Sequence, residues 1–483
     1  MEKAFLEKYE IVIGLEVHAQ LLTHSKAFSS DEVEYGAAPN VHVSPVTLGL
    51  PGALPVMNEK VIELAVKLGL ALNCQIRREN RFARKNYFYA DLPKGYQISQ
   101  FDTPICTEGY VTIKDDEGNT KHIHLERIHM EEDAGKSIHD QDPFASLIDL
   151  NRAGTALVEI VSRPDIASPV EAGAYLTEVR KIVRYLDVCD GNMEEGSLRC
   201  DANISVRLRG EKTLGTKVEI KNMNSIRNVQ RALEYEFNRQ CKALEDGEKI
   251  YQETRSFDAV NGKTIAMRSK EMAHDYRYFP EPDLLPVIVT DEYVQKVQSE
   301  LPALPAELFA KYTSAYGLPE YDAYWLSDDK HTAAYFEGII VQCSNYKAAA
   351  NWMMGAVKSW LNENGAEIRS FPLQPLKIAQ IIQLIDEGKI SSTGAQKIFT
   401  ALLENPLAEA SNLATELNLI QESNSDALAS LVDQVLKNFP DKVAEYQAGK
   451  KGLLGLFMGE VMKLSGGKAD PKVTTALLKQ KLD

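Results

Sequence analysis

EIVIGLEVH, residues 10–18, alternates with the two-residue period of a β-strand, and that period decides how residues 1–290 are read. The pattern returns in GYVTIKD (109–115), TALVEIV (155–161), LRCDANISVRL (198–208) and TKVEIKN (216–222), punctuated by Gly, Pro, Asn and Asp. These are expected strands of one large sheet-rich domain. Helices interrupt them. In ASPVEAGAYLTEVRKIVRYLD (167–187), Ser168 is placed as N-cap, Pro169 at N1 and Glu171 at N3. Further helices are expected in NEKVIELAVKLGLAL (58–72) and SIRNVQRALEYEFNRQ (225–240). Without regular βαβ repeats, the fold class is α+β.

The 483 residues suit two to four domains. YFPEPDLLPVIV (278–289) is proline-rich, and beyond about residue 295 long helical patterns take over, expected within 303–315, 343–363, 374–388 and 392–403. A weaker boundary falls in LLENPLAEASNLATE (402–416). The expected division is therefore 1–294, 295–407 and 408–483.

Apolar residues make up 44% and charged residues 25%, which excludes a wholly disordered, collagen-like or disulfide-stapled chain. The six cysteines at 74, 106, 189, 200, 241 and 343 form no CxxC pair, so reduced thiols in a cytosolic compartment are the simpler reading. No export signal or membrane span is expected. The 54 basic and 69 acidic residues give a net charge of -15, which offers no general attraction to nucleic acid or anionic lipid. Local patches differ: RRENRFARKNYFYADLPK (77–94) carries Arg77, Arg78, Arg81, Arg84, Lys85 and Lys94 among aromatics, suiting a phosphate-rich ligand. Residues 437–483 hold nine Lys against five acidic residues, either a nucleic-acid-facing module or an ordinary solvated helical surface.

Several residues can carry chemistry. Glu16 and His18 share a strand face, and both can ligate a cation, although a strand-end histidine is otherwise structural. The run His129-Met-Glu131-Glu132-Asp133 and the lone carboxylate Glu159 in TALVEIV supply further candidates. A carboxylate inside an apolar strand requires a metal, a base or a polar pocket. Histidine and carboxylate without thiolate fit Mg²⁺ or Mn²⁺ better than structural zinc, although Mg²⁺ prefers oxygen. EDAGKS (132–137) is not a P-loop, because Met130 stands where the first glycine belongs. Arg199, Asp201, Asn203, Ser205 and Arg207 form one polar face, either ligand-binding or a solvent-facing ladder of charges; Lys217, Glu219 and Lys221 repeat the style.

IGLEVHAQL (13–21), RKNYFYADLPKGYQISQ (84–100), HMEEDAGKS (129–137), DLNRAGTALVEIVSRPD (149–165), MEEGSLRCDANISVR (193–207), KNMNS (221–225), DYRYFPEPDL (275–284) and GLFMGEVMKLSGGKADP (455–471) together resemble the B-subunit family of bacterial-type aspartyl/glutamyl-tRNA amidotransferases over effectively the full length. The resemblance implies a glutamine-synthetase-like sheet cradle, a helical domain and a tRNA-contacting tail. It implies ATP-dependent phosphorylation of the side-chain carboxylate on misacylated tRNA(Gln) or tRNA(Asn), then displacement of phosphate by ammonia. The implied partners are the amidase A subunit, which makes the ammonia, and the small C subunit; the implied cofactors are ATP and Mg²⁺, in the cytoplasm and away from membranes.

By the same resemblance His18, Glu132 and Glu159 fall on the magnesium ligands, with Glu16 as a further metal or substrate-positioning carboxylate. Lys85 matches a basic residue of the phosphorylation pocket, and Arg199 and Asp201 are further catalytic candidates, Lys85 and Arg199 facing ATP. Many members of the family carry four zinc-binding cysteines where this chain has Ser29, Asp31, Ser44 and Thr47, so no structural zinc is expected. A non-catalytic tRNA-binding or assembly protein and an amide ligase for a small molecule are the competing readings.

Overall fold

The strand that opens with the EIVIGLEVH pattern is the centre of the sheet. In the computed structural model, which describes residues 1–139, 141–268, 276–421 and 425–482, it spans β1 (Tyr9–Gln20). The other main strands are β2 (Ala83–Asn86), β3 (Tyr96–Ser99), β4 (Thr120–Glu132), β5 (Ala156–Ser162), β6 (Leu198–Leu208), β7 (Val218–Met223), β8 (Thr254–Asp258), β9 (Lys263–Arg268) and β10 (Arg277–Pro280). They follow the path β9-β8-β7-β6-β1-β5-β4-β3-β2-β10, antiparallel at every step except β7 with β8. Gln75–Ile76, Cys106–Thr107 and Tyr110–Lys114 extend the sheet off that path.

One face of this sheet is apolar. Ile11, Ile13, Leu15, Val17 and Ala19 of β1, Ala156, Val158 and Ile160 of β5, and Ala202 and Ile204 of β6 join the first unit's core. Three helices lie against the sheet: α1 (Glu59–Ala71) against β4, α2 (Pro169–Tyr185) against Tyr110–Lys114, and α3 (Ile226–Glu245) against β6 and β9. Their starts match the expected signals. The Ser168 hydroxyl accepts from Glu171 N, and the Glu171 carboxylate accepts from Ala167 N, while Asn58 and Ser225 cap the other two. With that side covered, the opposite face is left to polar side chains.

The compact units are Met1–Leu304 and Pro305–Asp483. The position 294/295 expected for the first boundary falls inside helix Asp291–Ser299, whose Val294 and Val297 are buried in the first unit's core. In the second unit the expected helices occur at Pro305–Ser314, Pro375–Asp386 and Ser392–Glu404. Within 343–363, where helix is expected, Tyr346–Trp352 and Lys358–Asn364 are α-helical and Met353–Val357 between them is π-helical. Helices Glu320–Asp328 and Lys330–Ile340 go beyond those the sequence pattern predicts. Ala410–Glu416 packs with Pro375–Asp386 and Ser392–Glu404. A separate core of Leu428, Val432, Phe457, Val461 and Leu478 holds the terminal helices. No helix among the described residues is long and apolar enough to cross a membrane. Asp275, first residue of the DYRYFPEPDL motif, lies outside the described residues.

The Ser168 hydroxyl also donates to Asp116 Oδ1 at 2.8 Å. Ser168→Ala is expected to destabilise the first unit by about 1 kcal/mol in denaturant melts. An undetectable loss would show that the cap does not hold α2.

Candidate active site

Strand register builds the site on the polar face. β1 lies between β6 and β5, so His18 faces Arg199 on one side and Glu159 on the other, while Glu16 faces Asp201. Glu159 in turn faces His129 of β4, and Glu131 faces Ser99 of β3. Lys85 of β2 faces Gln97 of β3 on one side and Tyr278 of β10 on the other. Because side chains alternate, all of these emerge on the same side of the sheet.

The buried centre holds two carboxylates and two imidazoles. Glu159 Oε2 lies 3.3 Å from His18 Nε2 and 3.5 Å from His129 Nε2, and His129 Nε2 lies 3.5 Å from Glu131 Oε2. Glu131 accepts from the Ser99 hydroxyl at 2.9 Å and Gln97 Nε2 at 3.1 Å, with Lys85 Nζ 3.7 Å away. Burial alone drives the Glu159 carboxyl toward protonation, but His129, His18 and Lys85 outweigh it and hold its pKa below the usual carboxylate range. Glu131 behaves alike, with burial opposed by Lys85 and His129. Burial also lowers the His18 pKa, but its bond to Glu159 and that carboxylate's charge hold it above the ordinary imidazole value.

These donors fit a cation. One ligand atom from each of His129, Glu131 and Glu159 lies within 4.8 Å of the others. The buried His129 Nδ1 has no hydrogen-bond partner among the described residues, so no acceptor behind the ring fixes its tautomer. Mixed nitrogen and carboxylate oxygen suits Mn²⁺ or Mg²⁺.

Charged groups flank the centre on both sides. Arg199 donates from Nη1 to Asp133 Oδ2 at 2.7 Å, and Gln20 Nε2 donates to the same oxygen at 2.8 Å. Lys221 Nζ bridges Asp201 at 2.6 Å and Glu219 at 2.9 Å, and Asn203 Nδ2 donates to Glu16 at 2.9 Å. Burial and the nearby Glu159 charge raise the Glu16 pKa.

Glu132 is the exception among the residues assigned by resemblance. It comes directly after Glu131 on one strand, so alternation sends it to the opposite face, where it faces Ala156 in register. There Glu132 Oε1 accepts from Ile98 N at 2.8 Å and pairs with Lys94. The geometry thus separates Glu132 from His18 and Glu159, and puts His129 and Glu131 beside them. Both are visible in the HMEED run, and the period-two rule applied to β4 separates them from Glu132. Asp133 and Lys221 are also visible in the sequence, in the HMEED run and in the polar positions of 217–221, but their pairing with Arg199 and Asp201 is set by strand packing.

The segment with Ser29, Asp31, Ser44 and Thr47 is gathered around one carboxylate. Asp31 Oδ2 accepts from Ser29 Oγ and Ser44 N, each at 3.0 Å, and from Thr47 Oγ1. The buried Lys26 Nζ lies 3.8 Å from that oxygen and donates to His42 O at 2.6 Å. Asn151 joins the segment to the 149–155 turn, donating to Ala38 O at 2.8 Å and accepting from His42 N at 3.0 Å. Nearby, Glu32, Glu34 and His42 bring ligand-type atoms within 4.8 Å of one another, with both carboxylates exposed.

Two family models match the chain: one described as the GatB/GatE catalytic domain over residues 11–295, and one described as the GatB domain over residues 334–482. Proteins named as the B subunit of aspartyl/glutamyl-tRNA(Asn/Gln) amidotransferase are close relatives throughout. The one from Synechococcus sp. (strain JA-2-3B'a(2-13)) is 52% identical over 481 residues, covering 99% of this chain and 98% of its own. That of Trichlorobacter lovleyi is 52% identical over 475 residues, covering 98% and 99%, and that of Thermodesulfovibrio yellowstonii is 48% identical over 472 residues, covering 98% of each. The chain belongs to the B-subunit family of tRNA amidotransferases. Family membership agrees with the α+β architecture, and the matched catalytic region contains every strand of the polar face except the first two residues of β1.

Burial lowers the Lys26 pKa to about 8, against raising contributions from Asp31 and Glu132. The unfolded side chain titrates near 10.4. Between those values the unfolded chain holds a proton that the folded chain has lost, so stability grows with pH across the window. Relative to Lys26→Met, the parent protein is expected to gain up to roughly 1 kcal/mol per pH unit above pH 8. A pH-independent difference in denaturant melts would contradict a buried, titrating Lys26.

Proposed function

We propose that this chain amidates Glu-tRNA(Gln), Asp-tRNA(Asn) or both, using ATP to activate the side-chain carboxylate as an acyl phosphate and ammonia to displace the phosphate. The observation that carries this reading is the convergence of His18, His129, Glu131 and Glu159 between Lys85 and Arg199 on one polar sheet face. A carboxylate and a polyphosphate bring like charges together, and such a meeting requires fixed cations and dipoles on both sides.

The chain's own groups divide that work. His129, Glu131 and Glu159, with His18 at the rim, would hold Mg²⁺ or Mn²⁺, which supplies neutralisation of phosphoryl oxygens when bound. Burial works against the Lys85 charge, but Glu131 and the neighbouring Tyr278 outweigh it and raise its pKa. The ammonium faces the same space and suits an incoming phosphoryl group or acyl phosphate. Arg199 supplies a second cation across β1, oriented by Asp133. Glu16, Asp201 and Lys221 form the polar floor beyond His18, where Glu16 positions substrate and Asp201 orients Lys221. Burial of the centre excludes water, which otherwise hydrolyses an acyl phosphate before ammonia reaches it.

Ammonia is taken to come from an amidase A subunit, held in place by a small C subunit, in the cytoplasm where charged tRNA is made. The terminal module is assigned to tRNA, with Lys450, Lys451, Lys472, Lys479 and Lys481 exposed for backbone contacts. The bonds gathered on Asp31 support a loop that needs no structural zinc: one anionic oxygen collects three donors at the four positions in question. Stoichiometric zinc in metal analysis of the purified protein, lost on substituting residues of this loop, would contradict that assignment.

Reconstitution with the A and C subunits, fed glutamine or ammonium, tests the reaction. ATP-dependent conversion of Glu-tRNA(Gln) or Asp-tRNA(Asn) with either nitrogen source is expected, and failure with both overturns the proposal. Glu131→Gln and Glu159→Gln are each expected to reduce amidation by about 100-fold or more while sparing glutamine hydrolysis by the partner. Parental amidation rates in either variant would remove those carboxylates from the centre.

A further inference from the structure

Beyond Lys85 the polar face ends in aromatic rings. Phe101 and Tyr278 stack with centroids 4.2 Å apart and 16° between their planes. Tyr278 backs one side of Phe101, yet Phe101 remains 54% exposed, so a broad part of the ring meets solvent. The pair is tied to the buried centre from both sides. Tyr278 is the register partner of Lys85, and Ser99, two residues before Phe101, donates to Glu131 at 2.9 Å.

Phosphorylation of a carboxylate and attack by ammonia involve small, charged or strongly hydrated groups, none of which has use for an exposed flat ring. A nucleobase does, because unpaired bases at RNA ends stack on aromatic side chains. Both substrates of the proposed reaction carry adenine. They differ in the tether between that base and the reacting atoms. In charged tRNA one ribose, an ester and a short side chain separate the terminal adenine from the reacting carboxylate. In ATP, a ribose and two phosphates precede the transferred group. Phe101 stands two positions from a residue that touches Glu131, which suits the shorter tether. Its exposure suits a base that stays attached to a large molecule.

Resting on the amidation reading above, we propose that Phe101, backed by Tyr278, is the stacking platform for the terminal adenine of the substrate tRNA. It would place the ester-linked side chain at the Glu131–Lys85 end of the buried centre.

The test uses the reconstituted complex with ammonium as nitrogen donor. Phe101→Ala is expected to raise KM for charged tRNA roughly tenfold, in the range of one lost base–aromatic stack. It should leave KM for ATP unchanged, and Phe101→Tyr should restore the parental value. Charged tRNA with 2-aminopurine replacing the terminal adenine should lose fluorescence on binding the parent complex and not on binding Phe101→Ala. A rise confined to KM for ATP assigns the platform to the nucleotide and overturns the proposal. So does an unchanged KM for both substrates, or weakened assembly of the complex with normal tRNA affinity once assembled. If the parent complex itself fails to amidate charged tRNA, the amidation reading fails; if the parent amidates and Phe101→Ala matches it, the stacking platform alone fails.

Discussion

Glu159 is a carboxylate in the middle of a sheet, buried at 7% exposure in a strand otherwise rich in Val, Leu and Ile. An uncompensated charge there is prohibitively costly, so its neighbours are constrained. His18 meets it from β1 and His129 from β4, and Lys85 reaches the same region through Glu131. The antiparallel order β6-β1-β5-β4-β3-β2 is what delivers these groups, because each register step places one polar residue beside the next. Shifting any central strand by one residue exchanges its polar and apolar faces and dismantles the centre.

The apolar face does the complementary work. Helices α1, α2 and α3 cover one side of the sheet only, and the remaining side is free to carry charge. That asymmetry lets a chain of net charge -15 gather cationic groups on one face of its sheet. Its acidic centre is matched locally by Lys85, Arg199 and Lys221, and the balance of the whole molecule says little about the site.

Much of this is legible in the sequence. Period-two alternation in 10–18, 155–161 and 198–208 locates the central strands, and the Ser168-Pro169-Glu171 signal locates the start of α2. The same alternation pairs Glu16 with His18. It also separates Glu131 from Glu132, a distinction that motif position alone does not make. Other features depend on contacts distant in sequence. Asp133 meets Arg199 across 66 residues and Lys221 meets Asp201 across 20, so the residues stand out in the sequence while their pairing does not. The boundary expected at 294/295 cuts a helix because a proline-rich stretch precedes residues, Val294 and Val297, that still belong to the first core.

In the proposed centre the metal sits on the polar face between His129, Glu131 and Glu159, away from Glu132. Anomalous diffraction from a crystal of the complex soaked in Mn²⁺ tests it directly. One strong peak is expected, bounded by those three side chains on the face that carries His18. A peak on the opposite face, coordinated by Glu132 beside Lys94, would contradict it.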